Sequence, residues 1–127
     1  AALAAESDYL VVITPGGAAT PKLIGAAVLR ALGPKGYLVN VSRGSVVDEA
    51  ALIAALQQGT IAGAALDVFE NEPQVPEALR ALDNVVLTPH IGSATRATRG
   101  AMADLAFENL RAFFAGGKPP TPVPECR

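Results

Sequence analysis

The chain has 127 residues, of which 50% are hydrophobic and 17% charged, with a formal charge of −2. That length sets about one domain, and that composition a globular and not a disordered chain. The charge leaves no footprint for nucleic acid. One histidine, His90, and one cysteine, Cys126, exclude a His-rich metal site, a zinc cluster and an internal disulfide, and no apolar run approaches the roughly 18 residues of a membrane span.

Ala1-Ala2-Leu3-Ala4-Ala5-Glu6 reads as the end of a helix already under way, with no initiator Met before it. The expectation is a fragment of a longer protein. No positive, apolar leader marks secretion, so the cytoplasm is the default location. Asp8–Thr14 is a short apolar run rich in β-branched residues, stopped by Pro15-Gly16-Gly17. Gly36–Ser42, Ile61–Phe69 and Asn84–Thr88 are further runs, the last ended by Pro89. Such runs fit strands of a parallel sheet buried on both faces. After the first, Thr20-Pro21 predicts an N-cap with proline at the first helical position. Leu23, Ile24, Ala27, Val28 and Ala31 continue at helical spacing, and Gly33-Pro34 predicts the stop. Asp48 predicts the cap of a second helix, with Leu52, Ile53 and Leu56 as its apolar face and Gly59 as its end. Pro76–Leu82 supplies one or two turns. Thr95 opens a long helix reaching Ala115, with Met102, Leu105, Ala106, Asn109, Leu110 and Phe113 along one face. Gly116-Gly117 ends it, and residues 118–127 read as a proline-rich extended tail. Residues 1–117 form the expected domain.

Strands alternating with helices predict an α/β fold with a parallel sheet and right-handed crossovers. In such sheets ligands bind beyond the carboxyl ends of the strands. The residues there are Thr14-Pro15-Gly16-Gly17, Ser42-Arg43-Gly44-Ser45, Glu70-Asn71-Glu72-Pro73 with Asp67 just inside, and Pro89-His90-Ile91-Gly92-Ser93. An arginine, acids and the sole histidine therefore converge on one edge.

Taken singly, Arg43 fits a solvated loop arginine, Glu72 a surface acid and His90 a structural loop histidine. Asp67 differs, because an acid between Leu66 and Val68 is costly to bury unpaired. Ser42, Ser45 and Ser93 fit turns, and none is assigned as a nucleophile. As a set the residues make chemical sense. An arginine grips a carboxylate with two prongs. A carboxylate beside an imidazole favours the imidazolium, which can give a proton to a carbonyl oxygen. Arginine, histidine and acid, without metal or nucleophile, suit reduction of a keto acid, with the hydride drawn from a cofactor.

Three segments, Asn40–Glu49, Leu66–Pro73 and Leu87–Thr95, resemble the signature segments of the NAD(P)-dependent D-2-hydroxyacid dehydrogenases and occur in the family's order. Thr14–Gly17 and Val75–Leu79 are most similar to the glyoxylate/hydroxypyruvate and 2-ketogluconate reductase branch. The resemblance implies the second half of a Rossmann-type doubly wound parallel sheet plus a long C-terminal helix. It implies NAD or NADP as cofactor and a small 2-oxo acid as substrate. Arg43 would bind the substrate carboxylate, His90 would be the acid–base and Glu72 its partner. Asp67 would accept a hydrogen bond from the nicotinamide carboxamide, and Thr14, Val41, Ser42 and Gly92 would line the cofactor.

One departure is large. No G-x-G-x-x-G occurs in the chain, so the pyrophosphate cradle of the fold is missing. The expectation is a chain inactive by itself, with the edge of its first strand bare and open to homodimerisation. A non-catalytic dinucleotide-binding module, like the NAD-sensing co-repressors of similar sequence, is the alternative. A serine hydrolase lacks its G-x-S-x-G elbow, and a flavodoxin-like signalling module leaves the three segments unexplained.

Overall fold

The computed structural model describes residues 1–124. Cys126 and the end of the expected proline-rich tail lie outside the described residues. Two compact units are present, Ala1–Gly92 and a second from Ser93 onward.

The first unit is built on a four-stranded sheet in the order β1 (Tyr9–Val12), β2 (Tyr37–Asn40), β3 (Gly63–Leu66), β4 (Val85–Leu87). All three pairings are parallel. Each strand is shorter than its apolar run, because the ends of the runs turn away into loops. The register does the important work. Val12 pairs with Asn40, Asn40 with Leu66, and Leu66 with Leu87, so all four strands finish on one row. The residues that follow that row form a single rim.

The sheet buries one face. Leu10, Val12, Leu38, Ala64 and Leu66 join one apolar cluster with Leu29 and Leu32 of α2 (Ala26–Leu32) and Leu52 and Leu56 of α3 (Glu49–Gln57). Ala4 of α1 (Ala2–Ala5) and Leu79 of α4 (Glu77–Arg80) complete it. On the opposite face Tyr9, Val11, Tyr37 and Val86 stay exposed, and the Tyr9 and Tyr37 rings stack with centroids 5.3 Å apart. The expectation of strands buried on both faces is thus corrected. Side chains alternate across a strand, and the buried cluster of this unit lies on one side only.

The first helix also begins later than its spacing predicts. Residues 20–25 run as turn and bridge, and α2 starts at Ala26 with Gly25 as its cap. Thr20 donates its hydroxyl to the Pro15 carbonyl instead of capping a helix. The Lys22 and Ile24 amides bond the carbonyls of Ser45 and Val46, and the Asp48 amide bonds Ile24. This pairing buries Ile24 and outweighs the local helical signal. Asp48 caps α3 as expected, accepting the Ala51 amide at 3.1 Å. Leu52 and Leu56 are buried and Ile53 is half-buried.

The second unit is α5 (Arg96–Phe114) and the segment after it. Thr95 caps the helix by accepting the Thr98 amide, and Gly116 leaves it at a φ of 78°. The predicted apolar stripe is present, but none of the helix residues is buried. Past the helix the chain folds back, with Asn109 exchanging two hydrogen bonds with Thr121.

One close approach fixes the loop after β2. A β-carbon on Gly44 would lie 2.0 Å from the Phe69 carbonyl carbon and oxygen. Only a residue without a side chain lets this loop rest against the backbone that follows β3. Gly44→Ala is expected to destabilise the first unit by about 1–3 kcal/mol. Urea denaturation followed by circular dichroism measures it, and an unchanged midpoint would contradict the contact.

Candidate active site

Every residue singled out from the strand ends stands on the same rim. Thr14, Val41, Ser42 and Arg43 line one cleft of about 610 Å³ together with Ile13, Pro15, Gly16, Gly17 and Ser45. The stem of Arg43 lies against Gly16, where a β-carbon would come within 2.8 Å of its Cγ. The guanidinium donates to the Ser42 carbonyl at 2.6 Å.

His90 and Glu72 form the second group. His90 Nδ1 and Glu72 Oε2 are 2.8 Å apart. Glu72 Oε1 accepts the Phe69 amide at 3.1 Å, which fixes the carboxylate on its loop. The His90 hydrogen bond holds the Glu72 carboxyl below the usual carboxylate range. The Phe69 amide and the charges of His90 and Arg43 add to this, and desolvation opposes it. The other ring nitrogen, Nε2, has no hydrogen-bond partner among the described residues. Glu72 therefore orients the ring and leaves one nitrogen for chemistry. Phe69, Pro73, Val75 and Pro89 form an apolar niche around the pair.

Asp67 is the buried member, with 7% of its surface exposed. Its Oδ1 accepts the Thr88 hydroxyl at 2.5 Å and the Ile91 amide at 2.8 Å, and its Oδ2 accepts the Gly92 amide at 2.9 Å. The Thr88 bond is the main reason its carboxyl stays low. The Ile91 and Gly92 amides and the His90 charge work in the same direction, against desolvation. These bonds anchor the turn that carries His90, whose backbone sits in the left-handed region at a φ of 54°. That conformation is uncommon outside glycine and persists where the surroundings over-determine it.

The structure thus brings Glu72 directly to His90, Asp67 directly to Gly92, and Arg43 into one cleft with Thr14, Val41 and Ser42. Among the described residues no hydrogen bond or ion pair joins Arg43 to His90 or Glu72. They are linked through the field of Arg43 at Glu72 and the Gly44–Phe69 contact. Sequence reasoning missed Asn40 and Thr88. Asn40 is 1% exposed at the end of β2. A polar residue inside an apolar run was the available signal, the same one that singled out Asp67.

A nicotinamide group fits the rim on two observations. Asp67 Oδ2 carries a single donor, Gly92 N, and so has acceptor capacity left on a nearly buried carboxylate. The cleft lined by Thr14, Val41 and Ser42 is bounded by Gly16 and Gly17, which let a ligand approach the backbone. No glycine-rich pyrophosphate cradle occurs in the chain.

The depressed carboxyl of Asp67 makes stability depend on acid. Its contribution is complete above the ordinary carboxylate pKa of about 4 and is lost as pH falls through the lower folded value. Asp67→Asn is expected to lower stability by about 1–3 kcal/mol at neutral pH, because one acceptor becomes a donor facing an amide. It should also flatten the fall in melting temperature between about pH 5 and pH 3. Melts across that range check both, and a variant as acid-sensitive as the parent would remove Asp67 from the account.

Residues 1–92 match the family model described as D-isomer specific 2-hydroxyacid dehydrogenase, NAD binding domain. The chain is 54% identical over 121 residues to the hydroxyphenylpyruvate reductase of Plectranthus scutellarioides, covering 95% of this chain and 39% of that protein. Identity is likewise 54% over 121 residues to a glyoxylate/hydroxypyruvate reductase of Arabidopsis thaliana, with the same coverage of 95% and 39%. Among solved structures, the NADPH-dependent glyoxylate/hydroxypyruvate reductase of Sinorhizobium meliloti, in complex with NADP and malonate, superimposes with a TM-score of 0.93 at 60% identity. That match covers 98% of this chain and 39% of that one. The chain spans about 39% of the length of these relatives.

Proposed function

Since this chain belongs to the D-isomer specific 2-hydroxyacid dehydrogenases, we propose that it supplies the acid–base and substrate-carboxylate part of an oxidoreductase. The reaction is hydride transfer between NAD(P)H and a small 2-oxo acid such as glyoxylate or hydroxypyruvate. The observation that carries this reading is the His90–Glu72 pair on the same rim as Arg43, beside the anchored Asp67.

The bound nicotinamide supplies a hydride. Everything else falls to side chains of this chain. Arg43 holds the substrate carboxylate through a charge-assisted, two-pronged contact and turns the keto carbon towards the hydride. Glu72 holds His90 by Nδ1, so that Nε2–H faces the carbonyl oxygen. As charge develops on that oxygen, Nε2 delivers its proton, and the C=O becomes a C–OH. In the reverse direction neutral Nε2 takes the hydroxyl proton. Asp67 would accept a hydrogen bond from the carboxamide, and Thr14, Val41, Ser42 and Gly92 would line the cofactor. The alternative of a non-catalytic sensor needs no oriented imidazole, and the Glu72 contact favours catalysis.

The 127-residue chain by itself is expected to give no steady-state turnover, since it lacks a pyrophosphate cradle. Grafted in place of the matched part of the Sinorhizobium enzyme, it should reduce glyoxylate or hydroxypyruvate with NADH or NADPH. In that chimera His90→Gln is expected to lower kcat by at least about a hundredfold, and Arg43→Gln to act chiefly on KM. A folded chimera indifferent to His90→Gln would refute the assignment. Turnover by the unaided chain would refute the need for a partner half.

The same proposal extends to self-association. β1 stands at one edge of this sheet, and Tyr9 and Val11 within it and Ile13 just after it are exposed. Edges of this kind pair with other copies. Light scattering of the 127-residue chain by itself is expected to show a dimer that Val11→Lys shifts to monomer. A monomer at high concentration would overturn it.

A further inference from the structure

Asn40 has the burial of a core leucine and the bonding of a loop clamp. It is 1% exposed, and both ends of its amide are used. Nδ2 donates to the Arg43 carbonyl at 3.1 Å. Oδ1 accepts the Ser42 amide at 3.1 Å and the Ser42 hydroxyl at 2.9 Å. The Ser42 carbonyl in turn receives the guanidinium of Arg43 at 2.6 Å. The backbone of Asn40 is engaged as well, its carbonyl accepting the Asp67 amide at 3.0 Å. One residue therefore ties the Arg43 turn to the segment that leaves β3 at Asp67.

We infer that Asn40 is a positioning residue for Arg43, its buried amide setting the Ser42–Arg43 turn that brings the guanidinium into the cleft. The inference rests on the reading that Arg43 holds the substrate carboxylate. The chemistry asks for a short side chain with a donor and an acceptor. Aspartate lacks the donor, and glutamine is one carbon too long for the same reach. An apolar residue leaves the Ser42 amide without its bond, with little water present to replace it. The Arg43 carbonyl keeps a second partner, the Val46 amide at 3.2 Å, so the helical turn after it has support of its own. Loss of Asn40 should loosen the turn without unravelling the sheet.

The test uses the isotope-labelled chain and oxamate, a carboxylate whose amide nitrogen replaces the methyl group of a three-carbon 2-oxo acid. Asn40→Leu keeps the branched shape and the number of side-chain heavy atoms and adds no charge, Asn40→Ser is made beside it in case the bulkier leucine variant does not fold, and Arg43→Gln is the control. Three signals are read by NMR: hydrogen exchange of the Ser42 amide, the response of the Arg43 Nε–H to oxamate up to roughly 50 mM, and hydrogen exchange of the Gly92 amide, which bonds Asp67 and not Asn40. The expected result in the Asn40 variants is Ser42 exchange faster by about tenfold and an oxamate response weaker by about tenfold. The Gly92 amide should keep its protection, whereas a general loss of structure would release it. A Ser42 amide that stays protected, or oxamate binding that survives in the Asn40 variants while Arg43→Gln abolishes it, overturns the role of Asn40 and leaves the carboxylate reading standing. An Arg43 signal that ignores oxamate in the parent chain sinks the carboxylate reading, and the role of Asn40 falls with it.

Discussion

A carboxylate placed almost out of water must be answered by donors, and the donors that answer Asp67 come from one turn. Thr88, Ile91 and Gly92 surround His90 in sequence, and all three bond the same carboxyl group. The left-handed backbone of His90 is thereby held from both sides. The ring then meets Glu72, which is itself fixed by the Phe69 amide. Remove the carboxylate, and the turn loses the three bonds that tie it to the end of β3. The position of the acid–base group therefore depends on a residue that follows the neighbouring strand, β3.

The sheet makes that arrangement possible. Parallel pairing with Val12, Asn40, Leu66 and Leu87 in one row brings four strand ends to a common level. Antiparallel pairing would send alternate ends to opposite edges. Gly44 adds a lateral restraint, since its contact with the Phe69 backbone fixes the Arg43 loop relative to the Glu72 loop. Lys22 lies between Asp48 and Glu70 at 3.8 and 4.0 Å on the same side of the molecule. These are exposed pairs of small energetic weight, so the backbone contact is the stronger of the two restraints.

The strand runs were legible because buried parallel strands leave continuous apolar stretches, and the rim followed from their order. Asp67 was legible because an acid within such a stretch has to be answered. The start of α2 was not. Thr20-Pro21 carries a good helix signal, yet the amides of Lys22 and Ile24 bond Ser45 and Val46, residues some twenty positions away that no local window contains. The open face of the sheet was hidden for a similar reason. Val11, Tyr37 and Val86 have the composition of buried residues, and composition does not say which side a helix will cover. Asn40 was readable by the rule applied to Asp67, but an uncharged amide gives a weaker alarm than a carboxylate.

Exposure bears on how far the site can work as it stands. The side chains of His90 and Glu72 are 49% and 36% exposed. At that exposure water screens the pair, and the attraction between unit charges is a small fraction of its value in a dry site. Proton delivery gains most where water is excluded, because fixed dipoles then replace a mobile solvent. The geometry of Glu72, His90 and Asp67 is already complete in this chain, so what is missing is cover and not orientation. A nicotinamide ring against Asp67 and a substrate against Arg43 would supply part of that cover from the ligand side. The apolar niche of Phe69, Pro73, Val75 and Pro89 supplies it from the protein side. Orientation is thus built into the strand ends, and the dielectric is left to whatever closes over them.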